Sequence, residues 1–315
     1  MKLQQLSGQT SQVADYNPGL RTIALGEMYK ATQLFNYAEF YSMLGNADAP
    51  KMNSTDVGGS QRAINSDYVG TTGAPVTTAI SLEILGDLIK TDLAYERRGG
   101  NIESEREREL KSFASGLGRY FVNQFINGSG GGNQITGLVN QIVAAETIEL
   151  GSGNGLDVAL GNSDAVKKAQ QAFIEGLEEL IAQVGAGAVL LMSPKTISRL
   201  SAIARERILV SSVDNVFGLV TSYNGTPIVN AGYSKDKTTL VLPNTEVVGA
   251  SQDCCSVYCV RFGERADVSI ATNVGLQVRD RGLVGVQYNT LVEMDAQVAL
   301  LNAKSAFRMT GVRFA

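Results

Sequence analysis

Cys254, Cys255 and Cys259 are the three thiols of the chain, and their spacing limits what they can do. A structural zinc site needs four ligands, usually with paired C-x-x-C spacing, and this trio does not supply it. On a strand, Cys255, Val257 and Cys259 share one face, so the cysteines read first as small buried apolar residues. Disulfide and metal roles are the alternatives. Ser193 and Lys195 are one residue too close for the Ser-x-x-Lys nucleophile spacing. Ser193-Pro194 reads instead as the cap and first turn of a helix. Glu103, Glu105, Glu107 and Glu109 form a solvated or interfacial helix face, with no pair set apart for acid/base work. Arg279-Asp280-Arg281 reads as a salt-bridged turn or a subunit contact; for exposed pairs each is worth only ~0–1 kcal/mol. The chain has no histidine. That removes His-dependent general bases, Ser-His-Asp and Cys-His nucleophile systems, and imidazole metal sites. No catalytic residue, cofactor-binding residue or metal ligand is assigned, no cofactor is expected, and the chain is not read as an enzyme.

One glycine-rich stretch raises the question of phosphate binding. The sequence ESERERELKSFASGLGRYFVNQFINGSGGGNQITGL runs from a charged half through an apolar half into glycines. Phosphate loops precede a helix and place Lys then Ser or Thr after the last glycine. Here the glycines follow a helix and no Gly-Lys-Ser/Thr occurs, so they read as a terminator, with Asn127-Gly128 as the C-cap. The helix itself is set by Ile102, Leu110, Phe113, Leu117, Tyr120 or Phe121, and Phe125, whose steps of three and four make one buried stripe. Asn101 is its N-cap, acids lie in its first turns, and Glu107 precedes Lys111 at i, i+4. At ~1.5 Å per residue, 101–127 gives a rod of ~37 Å.

Other elements follow from the same periodicities. Residues 1–18 are polar and aperiodic, an arm. Met28, Ala31, Phe35, Ala38 and Tyr41 or Ser42 give 19–44 a helical spacing after Pro18. Residues 45–80 are rich in Gly, Ser, Thr, Asn and Asp; a stretch of this length and composition is functional or disordered. Ala63–Val69 and Pro75–Ile84 fit a long two-stranded ribbon with polar faces, marginal on its own in water. Residues 81–97 return to apolar spacing. Asp164–Val184 is an amphipathic helix, Ala188–Met192 a buried strand, and Ser193-Pro194 opens a further helix carrying Ile197, Leu200 and Ile203. Tyr223–Pro227 is a turn before Ile228-Val229, and Lys237–Val248 and Ser256–Phe262 read as strands. The last 50 residues are strand-rich, with Lys304, Arg308 and Arg313 as the cations of a weakly alternating tail.

Composition bounds the class. With 315 residues, 44% hydrophobic and 18% charged, the chain can bury a core and suggests two domains. Net charge is −4 and no basic block stands out, which disfavours direct nucleic-acid binding. No apolar run reaches the ~20 residues of a membrane span, and the first residues lack a signal-peptide core. A soluble protein made in a cytoplasm is expected.

The order of these parts resembles the major capsid proteins of tailed phages, the Hong Kong 97-type α+β fold. The likeness rests on the helix end Phe125–Leu138, on Ala188–Leu200, on the turn Tyr223–Val229, and above all on the sequence of parts across nearly the whole chain. The resemblance implies an N-terminal arm at 1–50, an extended E-loop at 51–82, and a peripheral domain at 83–155 with its spine helix at 101–127. It further implies an axial domain at 156–265 and a C-terminal return to the peripheral domain at 266–315. It implies self-assembly through pentamers and hexamers into an icosahedral head in the host cytoplasm. Portal, scaffolding and possible decoration proteins are the implied partners, with packaged double-stranded DNA nearby and no membrane. Gly58-Gly59, Gly70 and Gly73 would hinge the loop. Some members cross-link through an E-loop lysine. This loop has none between Met52 and Ile89, and Lys51 lies at its base, so no such bond is expected. The short lead-in before fold-like sequence implies a separate scaffold protein. An encapsulin-type compartment, or another virion structural protein, is the alternative.

Overall fold

The computed structural model describes residues 1–5, 17–53, 58–68, 70, 72, 73, 75–161, 163–207 and 221–314. It is an α+β structure with two larger sheets. The long helix forms as Ile102–Asn127, with the Asn101 side chain accepting from the backbone N–H groups of Glu103 and Ser104. Leu110, Ala114, Leu117, Phe121 and Phe125 form its buried stripe. Each fully buried Leu or Phe contributes roughly 1.5–3 kcal/mol.

One face of that helix packs on a sheet built around Gln287–Leu300. The early part of this 14-residue strand lies between Gln277–Val284 and Glu83–Asp92, both antiparallel to it. Its last residues pair with Val268–Thr272, which also runs parallel to Phe40–Ser42. The alternation puts Leu85, Val278, Val292 and Met294 into the core with the helix.

The 19–44 segment is not one helix. Pro18–Ala31 is helical, Thr32 is extended, and Leu34–Tyr37 is a separate short turn before the strand Phe40–Ser42. The break is local: the Thr32 hydroxyl accepts from the Leu34 N–H at 3.2 Å, competing with the helical ladder. Nor is this segment a free arm. Ala24, Leu25, Met28, Leu34 and Phe35 are buried in the main core. Gly118 permits the crossing, because a Cβ there would lie 3.2 Å from the Met28 carbonyl oxygen. Residues 6–16 of the expected arm lie outside the described residues.

The second sheet has eight strands, in the order Ser222–Tyr223, Thr226–Asn230, Ala188–Met192, Ser251–Arg261, Ala306–Arg313, Thr147–Glu149, with two short strands attached. Ala188–Met192 is buried at every position, as a strand covered on both faces must be. Asp164–Val184 packs against this sheet with Phe173, Leu177, Leu180 and Val184 buried. Two expectations change here. The tail strand Ala306–Arg313 does not join the sheet of the long helix; it pairs with Ser251–Arg261 inside the α/β unit. Its weak alternation reflects burial on both faces. The stretch 237–248 forms a strand only at Glu246–Val248, because the Asp236 carboxylate accepts from the N–H groups of Thr238 and Thr239 at 3.0 Å and turns the chain. The two units share one core: Phe35, Phe121, Phe125 and Phe262 make successive ring contacts at 5.3, 6.5 and 6.0 Å.

Candidate assembly surface

The side chains whose types could do chemistry are occupied with structure. The Ser193 hydroxyl accepts from the Thr196 N–H at 3.2 Å and lies 2.9 Å from the Thr196 hydroxyl. Lys195 instead reaches the Phe314 carbonyl at 3.4 Å, so the two side chains serve different partners. All three cysteines are buried free thiols. Burial pushes the Cys255 thiol up and the Cys259 thiol up to about 12, which keeps both protonated and poorly nucleophilic near neutrality. The glycine-rich stretch is a tight hairpin on the helix end, with Ser129 bridged to Thr136 and the Gly137 N–H donating to the Gly128 carbonyl at 2.9 Å. Gly128 has φ −55°, not a left-handed cap. Glycine is required there by proximity, since a Cβ would lie 2.1 Å from the Ile135 carbonyl oxygen.

The charged residues divide the same way. Asp280 pairs with Arg106 of the long helix at 2.6 Å, and that guanidinium also donates to the Thr290 hydroxyl and lies over the Tyr288 ring. Residues 279–281 are therefore not a turn: they lie on the strand Gln277–Val284, and Asp280 bridges to the long helix rather than to its neighbouring arginines. Glu107 pairs with Lys111 and Glu105 with Arg108, both on the solvent side. Glu109 turns inward and accepts a hydrogen bond from the Thr91 hydroxyl, so it holds the helix to its sheet.

Exposed apolar side chains gather in two places, and the first is the polar segment. Ala47–Asp48 pairs with Ile80–Ser81, and Lys51–Asn53 pairs with Pro75–Thr77. A ribbon forms, but from other strands than Ala63–Val69, which has no strand among the described residues. Repeated Asn, Ser and Gly hide that register from a reading of periodicity. The ribbon's root is anchored: Ile80 and Leu82 are buried with Tyr41, Met43 and Leu301. Beyond the root it stands clear. Arg62 shapes the outer turn, donating to the Ser66 carbonyl at 3.2 Å and covering the Tyr68 ring at 5.4 Å. Ile64 is 91% exposed, Tyr68 64% and Val76 52%. A second exposed apolar set, Leu283, Val284 and Val286, caps the hairpin between Gln277–Val284 and Gln287–Leu300. Sequence reading missed it, because short Val and Leu clusters in a strand-rich region look like core.

No family model and no curated protein matches the chain by sequence. Solved structures do match. The chain of the holo-SrpI encapsulin complex from Synechococcus elongatus PCC 7942 is 14% identical, with 97% of this chain and 91% of that one covered at a TM-score of 0.61. The capsid protein of a native GTA particle is 16% identical, with coverage of 96% and 94% at 0.61. The capsid of Cyanophage P-SCSP1u is 12% identical, with coverage of 87% and 86% at 0.53. The chain therefore has the fold from which phage, GTA and encapsulin shells are built.

Proposed function

We propose that this protein is a major capsid protein, whose copies assemble into the icosahedral head that encloses a phage genome. The observation that carries the reading is the ribbon within 47–81, whose outer part, among the described residues, finds strand partners only within itself and exposes Ile64, Tyr68 and Val76. A lone two-stranded ribbon is marginal in water. Laid over neighbouring subunits, it gains the partners that one chain cannot supply, and many modest contacts add through multivalency. Gly58, Gly59, Gly70 and Gly73 let one sequence fit the slightly different neighbours of pentamers and hexamers. Among the described residues, no helix is long and apolar enough to cross a membrane. The net charge of −4 suits a wall that lies beside DNA without gripping it. Portal, scaffolding and decoration proteins are proposed as partners on the same reading, the virion as the location, and lysine cross-linking of the ribbon is not part of it.

A second reading has its own support, since the encapsulin chain matches as well as the GTA capsid does. Expression of the chain followed by electron microscopy tests the shared claim: closed thin-walled shells are expected, and monomers alone would overturn it. The contents then separate the two readings. Particles from the native source that hold double-stranded DNA support the phage head; particles that hold a protein cargo support the compartment.

A further inference from the structure

At the junction of the two units lies an open pocket of about 340 Å³ whose charged and polar side chains can all donate hydrogen bonds. Arg119 reaches it from the long helix, Lys30 and Thr32 from the end of Pro18–Ala31, and Asn230 from the end of Thr226–Asn230. The Arg119 Nε–H is buried without an acceptor, and its guanidinium has no ion-pair partner among the described residues. A buried donor on a charged group is costly to leave unmade. Thr32 is 8% exposed, and its hydroxyl oxygen accepts from the Leu34 N–H at 3.2 Å, which leaves its proton to donate. The Asn230 carbonyl accepts from the Gly232 N–H at 2.9 Å, which leaves its amide protons. Lys30 pairs with Glu27 at 2.7 Å and keeps two further ammonium protons on an exposed side chain. No carboxylate lines the pocket.

Two helix ends also meet here, and they offset one another. The carbonyl end of Pro18–Ala31 disfavours an anion, and the first turn of Pro194–Arg207 favours one. The side-chain donors therefore decide the chemistry. A guanidinium without a partner matches an oxyanion, which it can hold through two parallel hydrogen bonds. The remaining donors come from other elements, which suits a tetrahedral group with oxygens in several directions. A planar carboxylate has two oxygens and would leave part of the set unmet. We propose that this pocket binds a phosphate group, held by Arg119, Thr32 and Asn230 with Lys30 at its edge. Arg119 and Thr32 belong to the unit of the long helix and Asn230 to the α/β unit, so a bound phosphate clamps one to the other. Binding to the folded chain alone then stabilises it in proportion to occupancy. Free phosphate and a nucleic-acid backbone present the same group; the net charge of −4 favours the free ion. The site goes beyond the shell reading and does not depend on it.

A titration with inorganic phosphate tests it. The full chain is unfolded thermally in chloride and in rising phosphate, at constant ionic strength and pH. Phosphate also stabilises proteins by exclusion from their surface, so the readout is the difference between wild type and variant. The wild-type midpoint should rise and saturate. Arg119→Gln should bind phosphate at least about tenfold more weakly, because charge-assisted hydrogen bonds are the strong ones. Coincident curves for wild type and Arg119→Gln overturn the site. A second measurement needs no variant. The phosphorus NMR line of inorganic phosphate should broaden with the wild-type chain and sharpen again when sulfate, another tetrahedral oxyanion, is added. A line that the chain leaves unchanged also overturns the proposal, even if Arg119→Gln fails to fold. A fluorescent oligothymidine separates the two sources, and either result supports the phosphate group. Binding that depends on Arg119 and is displaced by phosphate assigns the site to a nucleic-acid backbone; no binding assigns it to the free ion.

Discussion

The strand Ala188–Met192 and the ribbon 47–81 are built from opposite materials. The first is five apolar residues, all buried, paired in parallel on one side and antiparallel on the other. The second is polar, is paired only within itself over its outer part among the described residues, and exposes apolar side chains to water. The first completes its contacts inside one chain, so its mutations should read out as protomer stability. The second leaves contacts open, so its mutations should read out as assembly. The long helix stands between these cases, with one charged solvent face and one buried stripe.

The largest break in that division is expected at Phe121. It is fully buried, stacks on Phe35 at 5.3 Å and neighbours Phe125 at 6.5 Å, at the junction of the two units. Phe121→Ala should destabilise the protomer by about 3–5 kcal/mol, measured by urea unfolding of unassembled chains. A loss below about 1 kcal/mol would mean that the packing of Pro18–Ala31 and Leu34–Tyr37 on the helix is loose. The comparison would then fail, because the leading segment would belong with the ribbon.

Much of this was legible in the sequence where a local signal sufficed. Asn101 caps the long helix and Ser193 accepts from Thr196, each at a helix start. What escaped was whatever depends on partners distant in sequence. The Asn53-to-Pro75 pairing closes a loop with many turn-forming residues and no single one that fixes its register. Ala306–Arg313 looked like one more strand of the C-terminal group, and only its pairing with Ser251–Arg261 places it in the other sheet. The docking of Pro18–Ala31 depends on Gly118, which reads in sequence as a mere weakness in a helix. The pocket was invisible for the same reason: Thr32, Arg119 and Asn230 meet only in three dimensions.

The glycines at the helix end sharpen the comparison at smaller scale. Gly128→Ala forces a Cβ to 2.1 Å from one backbone oxygen and 2.6 Å from another, so backbone must move. Overpacking of this kind costs about 1–3 kcal/mol, read as a lower unfolding midpoint. Three residues on, Gly131 has nothing within 4 Å of a Cβ. Gly131→Ala should be neutral or stabilising by up to about 1 kcal/mol. Equal losses at both positions would show that the hairpin tolerates no side chain at all, and that proximity is not the reason for Gly128.

The smallest effect is expected on the charged half of the helix, and it decides to which side of the division that half belongs. Glu107 and Lys111 pair at 2.6 Å, but each side chain is 46% exposed, so solvent screens the pair and its loss should leave the unfolding midpoint where it is. Glu107→Gln therefore tests assembly without disturbing the protomer. Glu109 cannot serve, because it accepts from Thr91 and its substitution would loosen the helix from its sheet. If Glu107→Gln shells form at the wild-type rate in low and high salt, the acidic face is solvated. If assembly slows and its salt dependence weakens, Glu107 meets a cation on a neighbouring copy, and the helix joins the ribbon among the parts completed only in the shell.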